Sequence, residues 1–251
     1  RAEYSMEKIN GMDLSMQYIN QGFSKDSLQN IFDELKLYFE LTKNFKGSSI
    51  EKTYNFIASK NESRLKELQL WEGFRQLDNF INNHTSFSGT NSLFEYSNRM
   101  LSKNEAKLNA AQPIISHGDL CFANILMNEE ECKLIFVDPR GGNMNESYRS
   151  PYYDLAKLCH SLLGGYDHII NNIAEIQFDE NMNAKLIFDQ NLYNFQNIFQ
   201  SFVESLGFEY HLVRIIEISL FLSMLPLHID SSKKVNMLAL RASELILDID
   251  S

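Results

Sequence analysis

At Pro113 the spacing of apolar residues changes, and that change limits the folds open to the chain. Upstream of it, apolar side chains recur every three or four positions, as the buried stripe of a helix requires. Residues 24–46 carry Leu28, Ile31, Phe32, Leu35, Tyr38 and Phe39 on such a stripe, with Ser24 or Asp26 as cap and Gly47 as stop. Residues 50–83 and 91–110 continue the pattern. Downstream of Pro113, residues 114–115, 124–127 and 134–137 are short β-prone runs, the last two bridged by a polar turn rich in glutamate. Helical spacing returns at 152–163, 185–206, 209–225 and 233–248. The pattern predicts an α+β, mainly helical fold with a small β-hairpin at one edge and no internal repeats.

With 251 residues, 44% of them hydrophobic, the chain can bury a sizeable core. A formal net charge of −10 argues against nonspecific binding to nucleic acid or anionic membranes, which needs clustered Lys and Arg. The acidity leaves open either a cationic substrate or simply a soluble surface. Three cysteines, Cys121, Cys132 and Cys159, match no zinc spacing, and an odd count argues against a disulfide framework. The longest apolar run, 218–227, is interrupted by Ser219, Ser223 and Pro226 and reads as a buried helix, so no membrane insertion is expected. The chain opens on Arg1 without a leader pattern, which points to a cytoplasmic location and to a longer gene product upstream.

The stretch SHGDLCFANILMNEEECKLIFVDPRGG, residues 116–142, concentrates the chemistry. A loop after Ile115 would carry Asp119 at its crest, Asn124 would open the returning strand, and the hairpin partner would end at Asp138. Three oxygen-bearing side chains would then meet on one side of the sheet. That set suits phosphoryl transfer from a nucleotide. Mg²⁺ takes carboxylate and amide oxygens while keeping water and phosphate oxygens as its remaining ligands, a role for Asn124 and Asp138. A separate carboxylate, Asp119, could accept the proton of an attacking hydroxyl. Each residue alone could equally satisfy its local backbone in a turn. Cys121 has no neighbouring His or Lys to activate it, and His84, His160, His168, His211 and His228 show no paired ligand spacing.

His117, Gly118 and Asp119, then Asn124, then Asp138, resemble the Brenner-type motif of the aminoglycoside phosphotransferase and choline kinase superfamily. The interval from Asp119 to Asn124 is that of the catalytic loop H-R-D-x-x-x-x-N. The run Asp138, Pro139, Arg140, Gly141 is similar to kinase-like proteins found among bacterial surface-polysaccharide genes. The resemblance implies a protein-kinase-like C-terminal lobe whose hairpin carries the catalytic loop, with ATP and Mg²⁺ as cofactors and a hydroxyl-bearing small molecule, a sugar or an amino alcohol such as choline, as acceptor. His117 would brace the loop, and Asp154, in YYDLAKL, would hold the loop backbone.

By the same resemblance, residues 1–13 form a hinge in which the carbonyl of Glu7 and the amide of Ile9 contact adenine and Gly11 lets the chain turn. Residues 14–251 form the helical lobe, and an N-terminal lobe is expected upstream. Arg140 would steady a phosphate or the acceptor, or else pair with a carboxylate. Asp167 and Tyr166 would line an acceptor pocket. Gly141 and Gly142 form a turn or allow a loop to approach substrate. Two rival readings are a catalytically inactive binding domain of a larger protein and a metal phosphohydrolase, the latter lacking the extra His and Asp that a two-metal centre needs.

Overall fold

The structure is a computed structural model that describes residues 11–44, 51–128, 133–140, 148–189 and 191–250. A short strand β1 (Gly11–Asp13) leads into α1 (Leu14–Gln21), α2 (Lys25–Thr42), α3 (Thr53–Gln69), α4 (Phe74–His84), α5 (Thr90–Lys103) and α6 (Glu105–Ala110). The strands β2 (Ile114–Ile115), β3 (Ile125–Asn128), β4 (Lys133–Phe136) and β5 (Tyr148–Arg149) follow. Then come α7 (Pro151–Leu162), α8 (Tyr166–Ile170), the strands β6 (Glu175–Phe178) and β7 (Ala184–Ile187), and α9 (Gln196–Ser205), α10 (Tyr210–Met224) and α11 (Ser232–Asp250). The fold is mainly helical with small antiparallel sheets.

The core lies where α10 meets α7, α11, α3 and α5. Surrounded on several sides, α10 is apolar nearly all round, as a central helix must be. Tyr210–His228 is long and apolar enough to cross a membrane, yet 78% of that stretch is buried inside the fold. A second apolar layer joins α2 to α9, where Phe32 and Phe202 stack with ring centroids 4.5 Å apart. An aromatic pair of this kind adds about 0.5–1.5 kcal/mol beyond its buried area.

The sheet β1-β3-β4 forms the edge that carries the central stretch. Met12 pairs with Met127 and Leu126 with Ile135, so the expected hairpin forms within a residue of its sequence boundaries. Gly11 does not turn the chain. It lies in β1, where an added Cβ would sit 2.1 Å from the Met127 carbonyl oxygen, so glycine is needed for close strand approach.

Three helical segments differ from their sequence expectation. The 50–83 segment is two helices, broken where the Trp71 indole folds over Gly73 closely enough that a Cβ there would meet the ring at 2.3 Å. The 91–110 segment breaks at Asn104, whose side-chain amide donates to Met100 O. The 185–206 helix begins only at Gln196, because residues 184–187 pair with β6 instead. Asp179 closes that hairpin by accepting from the amides of Asn181 and Asn183, and the Leu186 amide is held by Glu244 at 2.8 Å. The helical stripe read there is an alternation, with Leu186 buried and Lys185 exposed.

Candidate functional site

Ser150 caps α7 by accepting from the Tyr152 amide, and Pro151 supplies the fixed backbone angle of the first turn. Asp154 therefore falls in the first turn, where the helix dipole favours a carboxylate. Its side chain is fully buried. Oδ2 accepts from the His117 amide at 2.9 Å and from the Tyr38 hydroxyl at 3.0 Å, while Oδ1 accepts from the Gly118 amide at 2.9 Å. Burial pushes the pKa of Asp154 up against the pull of these donors and of Ser116. One carboxylate thus fixes the backbone on which Asp119 stands.

Gly118 adopts φ 76°, and an added Cβ would meet Arg140 Cβ at 3.1 Å. The turn therefore needs glycine for its conformation and for the close passage of residues 138–140. His117 ties those two segments together. Its Nδ1 accepts from the Asp119 amide at 3.3 Å, and Nε2, as the protonated nitrogen, donates to the Val137 carbonyl at 2.9 Å. The His117 carbonyl accepts from the Arg140 amide at 2.8 Å, and the Asn124 carbonyl from the Val137 amide at 3.0 Å. Asp138, between these bonds, is exposed and holds φ 54°. A non-glycine residue in that region is uncommon, and such strain gathers at functional positions.

Asn124 lies in a 3-10 turn, Phe122–Asn124, at the foot of β3. Its Nδ2 donates to the Asp119 carbonyl at 2.8 Å, which leaves its side-chain oxygen for a cation. Among the described residues no three His, Cys, Asp or Glu side chains gather as a metal cage. An amide and a carboxylate fit Mg²⁺, which relies on phosphate and water for its other ligands.

Asp119 is ion-paired. Lys157 Nζ lies 2.8 Å from Oδ1 and an Arg140 guanidinium nitrogen 3.6 Å from Oδ2. Burial raises the pKa of Asp119, but Lys157, Arg140 and Lys60 outweigh it and hold the carboxyl below its ordinary range. Lys157, one turn beyond Asp154 on α7, is 5% exposed, and Lys60 on α3 donates to the Tyr153 hydroxyl at 2.7 Å. Cys121 is a protonated thiol, its pKa pushed up to about 11 by burial and by Asp119.

Asp167 is 3% exposed, and its Oδ1 accepts from the Ser15 hydroxyl at 2.8 Å. It and Asp119 both raise the pKa of Cys121 and Tyr166. Glu7, Ile9, Gly141 and Gly142 lie outside the described residues. Arg140 takes the carboxylate-pairing alternative with Asp119 while staying half exposed.

No family model, curated protein or solved structure matches this chain. Sequence spacing assigns no site role to Lys157, Lys60 or Tyr153, and Tyr38 reads there only as part of the α2 stripe. Lys157 had a signal: a lone lysine inside the apolar run of α7 must find an anion when buried.

Proposed function

We propose that this chain is the helical lobe of an ATP- and Mg²⁺-dependent phosphotransferase that acts on a hydroxyl of a small molecule. The supporting observation is the bracing of two loops by His117, which sets Asp119 and Asn124 on one frame with the strained Asp138. Asp119 would orient the acceptor hydroxyl and take its proton, a contribution of about 10²–10⁴ in rate. Held ionised beside Lys157, it is a weak base suited to positioning and to late proton transfer. Asn124 and Asp138 would hold Mg²⁺, which when bound neutralises charge on the transferred phosphoryl group. His117 and Asp154 serve as positioning residues. Arg140, paired with Asp119, would steady the acceptor, and Asp167 would line the acceptor side.

The resemblance suggests a sugar or an amino alcohol such as choline as acceptor, in surface-polysaccharide assembly, with ATP fitting a cytoplasmic enzyme. Residues upstream of the hinge would supply the rest of the nucleotide site. The Asp119→Asn variant of the full-length protein should lose ADP release by a hundredfold or more, on the order of the general-base contribution, while keeping its affinity for ATP. Retained turnover would contradict the role of Asp119.

A second reading, an inactive kinase-like binding domain of a larger protein, draws on the same ion pair, because Oδ1 of Asp119 is already engaged. It expects no acceptor-dependent loss of ATP from the full-length protein.

A further inference from the structure

Around Asp119 the sign of the charge is the reverse of the chain as a whole. Three cations, Lys157, Arg140 and Lys60, act on one carboxylate in a protein of net charge −10. Lys157 and Arg140 have Asp119 as an ion-pair partner. Among the described residues Lys60 has no carboxylate within ion-pair distance, and its ammonium is instead folded onto the Tyr153 hydroxyl at 2.7 Å. Burial lowers the pKa of Lys60, with Lys157 and Arg140 adding to the effect. A long lysine stem normally lets its ammonium reach water. Holding the ammonium of Lys60, a half-buried residue, beside the buried ammonium of Lys157 is unfavourable unless an anion joins them.

The aromatic faces of this corner are also taken. Lys60 Nζ lies 5.3 Å from the Tyr153 ring centroid, and the Arg149 guanidinium lies 4.3 Å from that of Phe56. Phe56 and Tyr153 themselves meet edge to face at 5.3 Å. A quaternary ammonium is recognised by open aromatic faces and by carboxylates. Here those faces already hold cations.

We propose that Lys60 and Lys157, flanked by Arg140, receive an anionic group, a phosphate or a carboxylate, on the molecule whose hydroxyl Asp119 holds. The inference rests on the phosphotransferase reading and narrows its acceptor to an anionic alcohol, such as a sugar phosphate, in place of an amino alcohol. Tyr153 acts as the positioning residue that keeps the Lys60 ammonium in the corner.

The test is calorimetric titration of the full-length protein with glycerol 3-phosphate, glycerol, choline and inorganic phosphate, each with and without a saturating non-hydrolysable Mg–ATP analogue. Glycerol 3-phosphate is expected to bind at least about tenfold tighter than glycerol or choline, as a charge-assisted contact would provide, and to keep its affinity with the analogue bound. Lys60→Met should lose that preference and Lys60→Arg should retain most of it. Equal binding of glycerol and glycerol 3-phosphate, or tighter binding of choline, overturns the proposal. Displacement of glycerol 3-phosphate by the analogue also overturns it, assigning the cations to the donor phosphates, and so does inorganic phosphate binding as tightly as glycerol 3-phosphate, which would leave an anion site without acceptor specificity. Analogue binding without an anion preference overturns this inference and leaves the kinase reading, whereas an anion preference without analogue binding overturns the kinase reading and with it the acceptor assignment, leaving an anion-binding corner.

Discussion

The ammonium of Lys157 stands 2.8 Å from the carboxylate of Asp119, and Lys157 lies one helical turn beyond Asp154, which holds the amides of His117 and Gly118. One face of α7 thus fixes both the backbone position and the charge state of Asp119. Substituting either residue on that face should change the same site in different ways.

Lys157→Met removes the charge and keeps the stem. Breaking a buried ion pair typically costs about 3–5 kcal/mol. Asp119 is 22% exposed and keeps Arg140, so a smaller loss of about 2–3 kcal/mol is expected by the same rule. The folded-state pKa of Asp119 lies below its unfolded value, so its contribution to stability is present above the unfolded pKa and is lost as pH falls through the folded one. Without Lys157 that loss begins at higher pH, and the acid limb of kcat/KM moves up with it. Urea titrations at several pH values and a pH–rate profile would read both effects.

Asp154→Asn replaces an acceptor of three hydrogen bonds with a group that turns an N–H toward at least one of the same donors. An unsatisfied buried donor costs about 1–3 kcal/mol. A loss of about 2–3 kcal/mol should lower Tm by roughly 4–12 °C for a chain of this size. Amide exchange at His117 and Gly118 should accelerate more than exchange in α10, which distinguishes a loosened loop from general destabilisation.

Gly118→Ala forces an L side chain into the left-handed region and against Arg140 Cβ. About 1–2 kcal/mol of backbone strain is expected, together with displacement of residues 138–140. Thermal unfolding would measure the first and loss of Mg–ATP affinity the second.

His160 is fully buried, stacked on Tyr166 at 4.3 Å and near Phe221 at 4.1 Å, with Lys157, Lys60 and His228 as its charged or titratable neighbours. Burial holds its pKa well below 6.5, and Lys157, Lys60 and His228 add to this. Below pH 6.5 the unfolded chain binds a proton that the folded chain refuses, so stability falls as pH falls, by up to about 1.4 kcal/mol per unit. His160→Phe should flatten the stability curve between about pH 5 and 6.5 relative to the parent. An unchanged slope in chemical denaturation would mean that His160 does not titrate on unfolding.

The hairpin at 125–136 and the His117, Asp119, Asn124 and Asp138 pattern were legible because their signals are local: alternating β-prone residues, a polar turn and fixed spacing. The 184–187 strand was missed because Lys185, Leu186 and Ile187 fit a helical stripe as well as an alternating one over so short a span. The Asp179 to Asn183 turn was the available corrective. Lys60 and Tyr38 could not be read in advance. Each joins the site through tertiary packing of α3 and α2 onto α7 and β2, with no sequence spacing to the loop they serve.

The most direct measurement is calorimetric binding of ATP to the full-length protein with and without Mg²⁺, repeated with Asp138→Asn. Asparagine tolerates the left-handed backbone of position 138 and removes only the charge. Magnesium-dependent binding that Asp138→Asn weakens by about tenfold or more is the predicted result, as loss of a charged metal ligand would produce. Binding that ignores both Mg²⁺ and the substitution, or no binding at all, would contradict the nucleotide site and leave the loop as architecture alone.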